Sequence, residues 1–181
     1  MRTSDNYPIG SVLLDDVHAC LDTITTQFSV QIPSTHKLYS KIIALFADSW
    51  KSYNSNSYTD IVEMKDFKKD ALLPFWLWQG KQAEVYKLLK QYDNGDIEEN
   101  FCVFFSLPLL QDCLPFCNCI ITARAIEISP KGIPISKISS FERATRRIFM
   151  SATLADDSVF VSTIGMKPDK IADIITPDKA N

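Results

Sequence analysis

The chain has 181 residues, 46% of them apolar and 23% charged, with 5 Gly and 9 Pro, the proportions of a globular sequence long enough for one or two domains. Its 19 Lys and Arg against 22 Asp and Glu leave a formal net charge of −3, so no chain-wide positive field holds nucleic acid and any such contact has to be local. No run approaches the roughly 20 apolar residues of a membrane span, and Met1-Arg2-Thr3-Ser4-Asp5-Asn6 lacks the apolar core of a secretion signal, so a cytoplasmic protein with no membrane partner is expected.

Ser11-Val12-Leu13-Leu14-Asp15-Asp16 is a short apolar run ending in two carboxylates, the pattern of a buried parallel strand with polar residues at its carboxyl end. A helix is expected from His18 to Thr26. Pro33-Ser34-Thr35 reads as a helix start, followed by Leu38, Ile42, Leu45, Phe46 and Trp50 at helical spacing. Ser52 to Ser57, rich in Asn and Ser, reads as a loop. Asp66 to Leu73 is charged and then apolar, after which Trp78, Lys81, Val85, Leu88 and Tyr92 resume helical spacing. Leu38, Ile42, Leu45, Phe46, Val85, Leu88 and Leu89 are therefore expected to face inward.

Asn94-Gly95-Asp96 reads as a turn, and Pro108 and Pro115 divide the apolar stretch from Phe101 to Phe116 into short buried helices. Cys119 to Ile128, rich in Ile and Thr, predicts a strand, with Ser129-Pro130 and Ile133-Pro134-Ile135 turning behind it. Ser140 to Arg146 is expected as a helix. Arg147 to Thr153 reads as a second short apolar strand ending in small hydroxyl residues, and Asp156-Asp157 as the start of a helix running to Gly165. The ends of the chain are thus α/β in character and the middle mainly helical.

Cys20, Cys102, Cys113, Cys117 and Cys119 are an odd count in a chain without a secretion signal, which favours reduced thiols. Cys113-x3-Cys117-x-Cys119 lacks zinc-ribbon spacing and lies among Leu109, Leu110, Leu114, Phe116, Ile120 and Ile121, where cysteine behaves as a small hydrophobe.

Functional groups in open α/β sheets gather at the carboxyl ends of strands. Two such ends here carry Asp15-Asp16-x-His18 and Ser151-Ala152-Thr153. An apolar strand ending in paired acids is how nucleotide hydrolases place one carboxylate on the Mg²⁺ water shell and another beside the attacking water. Taken singly, Asp15 and Asp16 read equally as helix caps and His18 as an ordinary helix residue.

With both motifs in order, the chain resembles the superfamily 2 helicases, most closely the XPD/DinG-type DNA helicases. Val12-Leu13-Leu14-Asp15-Asp16-Val17-His18 is similar to their motif II, the DEAD/DEAH-box or Walker B element Asp-Glu-x-His, and Phe149-Met150-Ser151-Ala152-Thr153-Leu154 is similar to motif III. Val159 to Gly165 lies where the family has a helix ending in Leu-Gly, and Glu127-Ile128-Ser129-Pro130 through Phe141 is similar to the strand and helix before motif III. The resemblance covers the two ends of the chain, and only architecture covers the middle.

That resemblance implies an α/β fold, a partial RecA-like parallel sheet with a mainly helical inserted domain. Residues 1–32 would be the motif II part of RecA-like domain 1, 33–117 an arch-like helical insertion, 118–165 the motif III part, and 166–181 a linker toward the second motor domain. Asp15 would hold Mg²⁺ through water, Asp16 would stand where the family has the Glu that polarises the attacking water, and His18 would couple the nucleotide site to motif III. Ser151, Ala152 and Thr153 would be motif III, with the two hydroxyls bridging motif II to the nucleic-acid side. Asp16 is one methylene shorter than the family's Glu, which alters the water contact. The family's iron–sulfur cysteines precede motif II, so these five do not match them.

The chain contains no Gly-x-Gly-Lys-Thr/Ser loop to cradle phosphates and none of the later motifs with the arginine that stabilises phosphoryl transfer. It therefore reads as a fragment whose parent, an ATP-dependent DNA helicase, uses ATP and Mg²⁺ on single-stranded or forked DNA. No cofactor and no ATPase activity are expected of the fragment alone. Trp76 and Trp78, in Phe75-Trp76-Leu77-Trp78, are candidates for stacking single-stranded bases, against a plain core role. Lys65, Lys68 and Lys69 form a small basic patch, but Glu63, Asp66 and Asp70 interleave with it as on a solvated face. The alternative is a noncatalytic protein-interaction module from a degenerate helicase-like protein, with the insertion holding a protein partner. A self-contained α/β domain with chance motif matches is the third reading.

Overall fold

The structure is a computed structural model that describes residues 9–93, 106–152, 158, 160–172 and 175. The chain divides into two compact units, one of Met1–Thr23 with Gly132–Asn181 and one of Ile24–Lys131. Among the described residues, no helix is long and apolar enough to cross a membrane.

The first unit is built on two parallel strands, β1 (Ser11–Leu14) and a strand named β6 here for its place in the chain (Arg146–Phe149), paired Leu13 to Ile148 and Leu14 to Phe149. The two motif-bearing strands are therefore adjacent in one parallel sheet. Hydrogen bonds continue past the strand ends, Met150 N–H to Leu14 O and Val17 N–H to Met150 O, both at 2.9 Å. The chain then enters α1 (Val17–Gln27), which buries Val17 and Leu21. In place of the longer helix expected over 140–146 there is one turn, Ser139–Glu142. Arg147 ends it, donating from Nε to Phe141 O and from Nη2 to Glu142 O, each at 2.9 Å. The helix start expected at Asp156-Asp157 lies outside the described residues. A π-helical turn, Phe160–Ile164, runs into Gly165, whose φ of 70° is a backbone that glycine adopts without steric cost.

Helices make up most of the described part of 33–117, but the compact unit is the wider Ile24–Lys131, which is not helical alone. It contains a four-stranded antiparallel sheet in the order β2-β5-β4-β3, formed by β2 (Val30–Pro33), β3 (Asp70–Leu72), β4 (Cys117–Thr122) and β5 (Ala125–Pro130). The segment from Cys119 to Ile128, expected as one strand on the motif III side, is a hairpin whose two-residue turn Ala123-Arg124 is held by Thr122 Oγ1 accepting from Ala125 N–H at 3.0 Å. Both arms belong to this second unit, because β2 and β3 flank them with ladder hydrogen bonds.

Alternation sets which face of that sheet is buried. Val30, Ile128 and Cys119 form one inward row by register and Ile32, Ile126 and Ile121 another, all buried. Two helices join this core. In α2 (Lys37–Tyr58), Leu38, Ile42, Phe46 and Trp50 recur every fourth residue and are all buried; in α3 (Phe75–Asp93), Trp78, Val85 and Leu89 are. Leu45 and Leu88 pack against them partly buried. Burial of each such side chain contributes about 1.5–3 kcal/mol.

Two local expectations need correction. Pro33 ends β2 rather than starting a helix, and α2 is capped by His36, whose Nδ1 accepts from Leu38 N–H at 3.1 Å. Ser52 to Ser57 is helical rather than a loop, because Asn54 breaks the helix only locally (φ −151°, ψ 84°) and its Oδ1 recaps the next turn through Ser57 N–H at 3.0 Å.

Candidate functional site

The parallel pairing of β1 and β6 brings their carboxyl ends together, and with them Asp15, Asp16, His18, Ser151 and Ala152. Thr153 lies outside the described residues. Asp15 Oδ1 accepts from Asp16 N–H at 3.0 Å, which fixes the first carboxylate against the turn, and both acids are exposed. Asp16 adopts φ 49°, a left-handed conformation that Asp tolerates better than most residues because its short side chain bonds locally. That turn redirects the chain into α1, where Cys20 Sγ donates to Asp15 O at 3.2 Å.

His18, one residue into α1, is part-buried, and its Nδ1 lies 3.0 Å from Ser151 Oγ. Which atom donates follows from the imidazole tautomer. The bond joins a motif II position to a motif III position through side chains alone, across 133 positions of chain. Chemically, the cluster offers two water-exposed carboxylates beside an imidazole–hydroxyl pair.

Such a set fits a hard cation held through water rather than a cage of direct ligands. Among the described residues, no group of three His, Cys, Asp or Glu converges as direct ligation would require. Mg²⁺ keeps most of its waters and needs only one or two carboxylates from a protein.

The other candidate residues are in the Ile24–Lys131 unit. Trp78 is not a stacking residue: it is 1% exposed, stacks on Phe46 with ring centres 6.3 Å apart, and donates from Nε1 to Leu114 O at 2.9 Å. Its indole is used up by the core. Trp76 points the other way round α3, 62% exposed and edge-on to Tyr53 at 5.7 Å. Lys65, Lys68 and Lys69 are all exposed. Arg124, which sequence reasoning passed over, lies over the ring of Phe67 at 5.1 Å. Its position at the tip of an unrecognised hairpin gave no local signal.

The cysteine cluster is core. Cys117 and Cys119 are buried. Burial, followed by the neighbouring Cys113, pushes the Cys117 thiol up to about 12, and burial pushes Cys119 up as well. A metal-binding thiolate needs the opposite displacement.

No family model matches the chain, and neither does any curated protein or solved structure.

Proposed function

We propose that the chain is part of an ATP-dependent DNA helicase of superfamily 2, of the XPD/DinG type, comprising the motif II and motif III strands of its first RecA-like domain and an inserted α/β unit between them. The observation that carries this reading is the His18–Ser151 contact at 3.0 Å between two strands adjacent in a parallel sheet. Chance motif matches give no reason for the two to meet at the same sheet end.

A second observation supports it. Parallel sheets are covered on both faces, yet Leu13 (58% exposed) and its register partner Ile148 (40%) lie bare on this two-stranded sheet. Further strands and helices of a larger domain would cover them.

In that parent, Asp15 would hold Mg²⁺ through water, and Asp16 would polarise the attacking water. When bound there, Mg²⁺ would supply neutralising charge to the nucleotide's phosphates. His18 passes the state of the acidic pair to Ser151, and so to the strand end from which the nucleic-acid side is reached. The phosphate loop and the charge-stabilising arginine come from elsewhere in the parent.

The test is the ATPase rate of the parent with DNA present. Asp15→Asn should abolish hydrolysis, and Ser151→Ala should spare basal hydrolysis while uncoupling it from DNA stimulation. A parent reading frame with no Gly-Lys-Thr/Ser loop, or undiminished turnover in Asp15→Asn, rejects the motor and leaves the partner-binding module.

A further inference from the structure

The loop that joins the π-helical turn Thr59–Glu63 to β3 carries Met64-Lys65-Asp66-Phe67-Lys68-Lys69. A charged exposed loop is ordinarily solvated and no more. This one is held in a definite shape. Met64 N–H donates to Thr59 O and Asp66 N–H to Asp60 O, each at 2.8 Å. Asp66 Oδ1 accepts from Lys68 N–H at 2.9 Å, so one of the three carboxylates interleaved with the lysines is engaged in building the turn.

The sheet adds a fourth cation. Asp70 pairs with Thr122, which brings the β4–β5 turn beside the loop, and the Arg124 guanidinium lies 5.1 Å from the centre of the Phe67 ring. Phe67 is nevertheless 60% exposed and Met64 72%. The ion pairs Lys51–Glu63 and Lys81–Glu84 engage none of these four cations. An exposed aromatic ring beside Arg124, in a loop that also carries the exposed Lys65, Lys68 and Lys69, matches a ligand with flat faces and regularly spaced negative charge.

We propose that Phe67, Arg124, Lys65, Lys68 and Lys69 form a binding site for single-stranded nucleic acid. A base stacks on the Phe67 ring beside the guanidinium, and the lysines take the flanking phosphates. Trp78, by contrast, contributes only to the core that supports the loop. The site lies wholly within the Ile24–Lys131 unit and does not rest on the motor reading, since a parent without ATPase activity leaves it standing.

The test is fluorescence anisotropy of a labelled oligothymidylate of about 20 nucleotides titrated with the whole chain at several salt concentrations. Binding should weaken with salt, and Phe67→Ala should lower affinity at least about five-fold. Lys68→Glu with Lys69→Glu should lower it further and flatten the salt dependence by about one unit of slope per cation. The same reversal at Lys87 and Lys90 on α3 should leave affinity within about two-fold. All these positions except Lys65 avoid special backbone, and circular dichroism checks that each variant is folded. The proposal is overturned by absence of salt-dependent binding, by folded Phe67 and Lys68/Lys69 variants that bind like the parent chain, or by an equal loss in the α3 control. A dimer seen by sedimentation that Phe67→Ala disperses, with no oligonucleotide bound, also overturns it and assigns the surface to a second copy of the chain.

Discussion

His18 Nδ1 and Ser151 Oγ are 3.0 Å apart although 133 positions of chain separate their residues. The contact follows from backbone pairing: β1 and β6 lie in parallel register, and Met150 bonds both Leu14 and Val17, so the residues just beyond the two strands leave the sheet side by side. A helix beginning at Val17 then presents His18 to Ser151 within one turn.

If this bond contributes to the folded state, His18→Ala and Ser151→Ala should each cost about 0.5–1.5 kcal/mol in urea denaturation. The double variant should cost less than the sum of the two. Strict additivity would mean that the two side chains do not interact in solution.

Asp16 tests the turn itself. Its left-handed backbone predicts that Asp16→Gly is neutral or stabilising, whereas Asp16→Val costs about 1–2 kcal/mol because the branched Cβ meets the following carbonyl. Asp16→Glu should fall between them, since Asp tolerates the left-handed region better than longer unbranched side chains do and Val tolerates it least. Thermal denaturation of the three variants gives the order; Val equal to Gly would reject the conformation.

The two tryptophans of the α3 start should behave oppositely. Trp78→Ala removes a stacked and hydrogen-bonded core side chain and should cost about 3–5 kcal/mol. Trp76→Ala, on the exposed face, should stay within about 1 kcal/mol. Comparable losses in denaturant midpoint would contradict the packing.

Thiol ionisation contributes to the alkaline lability of the second unit. Cys117 is raised by burial from its ordinary value of 9.0 to about 12, so the folded state keeps the neutral thiol while the unfolded chain ionises first. Stability is therefore unaffected below about pH 9 and falls as pH rises from there toward 12. Cys117→Ala should flatten that decline. At neutral pH, Cys20 should react with a thiol reagent well before Cys117 and Cys119, by mass-spectrometric mapping under native conditions.

What the amino-acid sequence alone determined is local: the inward stripes of α2 and α3, the apolar strands of the first unit, and the acids and hydroxyl placed at their ends. These are legible because a period of 3.6 or 2 and the chemistry of a strand end are written in neighbouring residues. The antiparallel sheet was not legible, because β2 is only four residues, Val30–Pro33, and its partner β5 lies far along the chain. Neither strand buries its face without the other. The same holds at single residues. Trp76 and Trp78 share one helix and one chemistry, and only the packing of Phe46 and Leu114 against one of them makes it core. Arg124 meets Phe67 only once the ladder from Asp70 to Thr122 has formed, since hydrogen bonds between distant segments, rather than any pattern within either, bring the guanidinium to the ring.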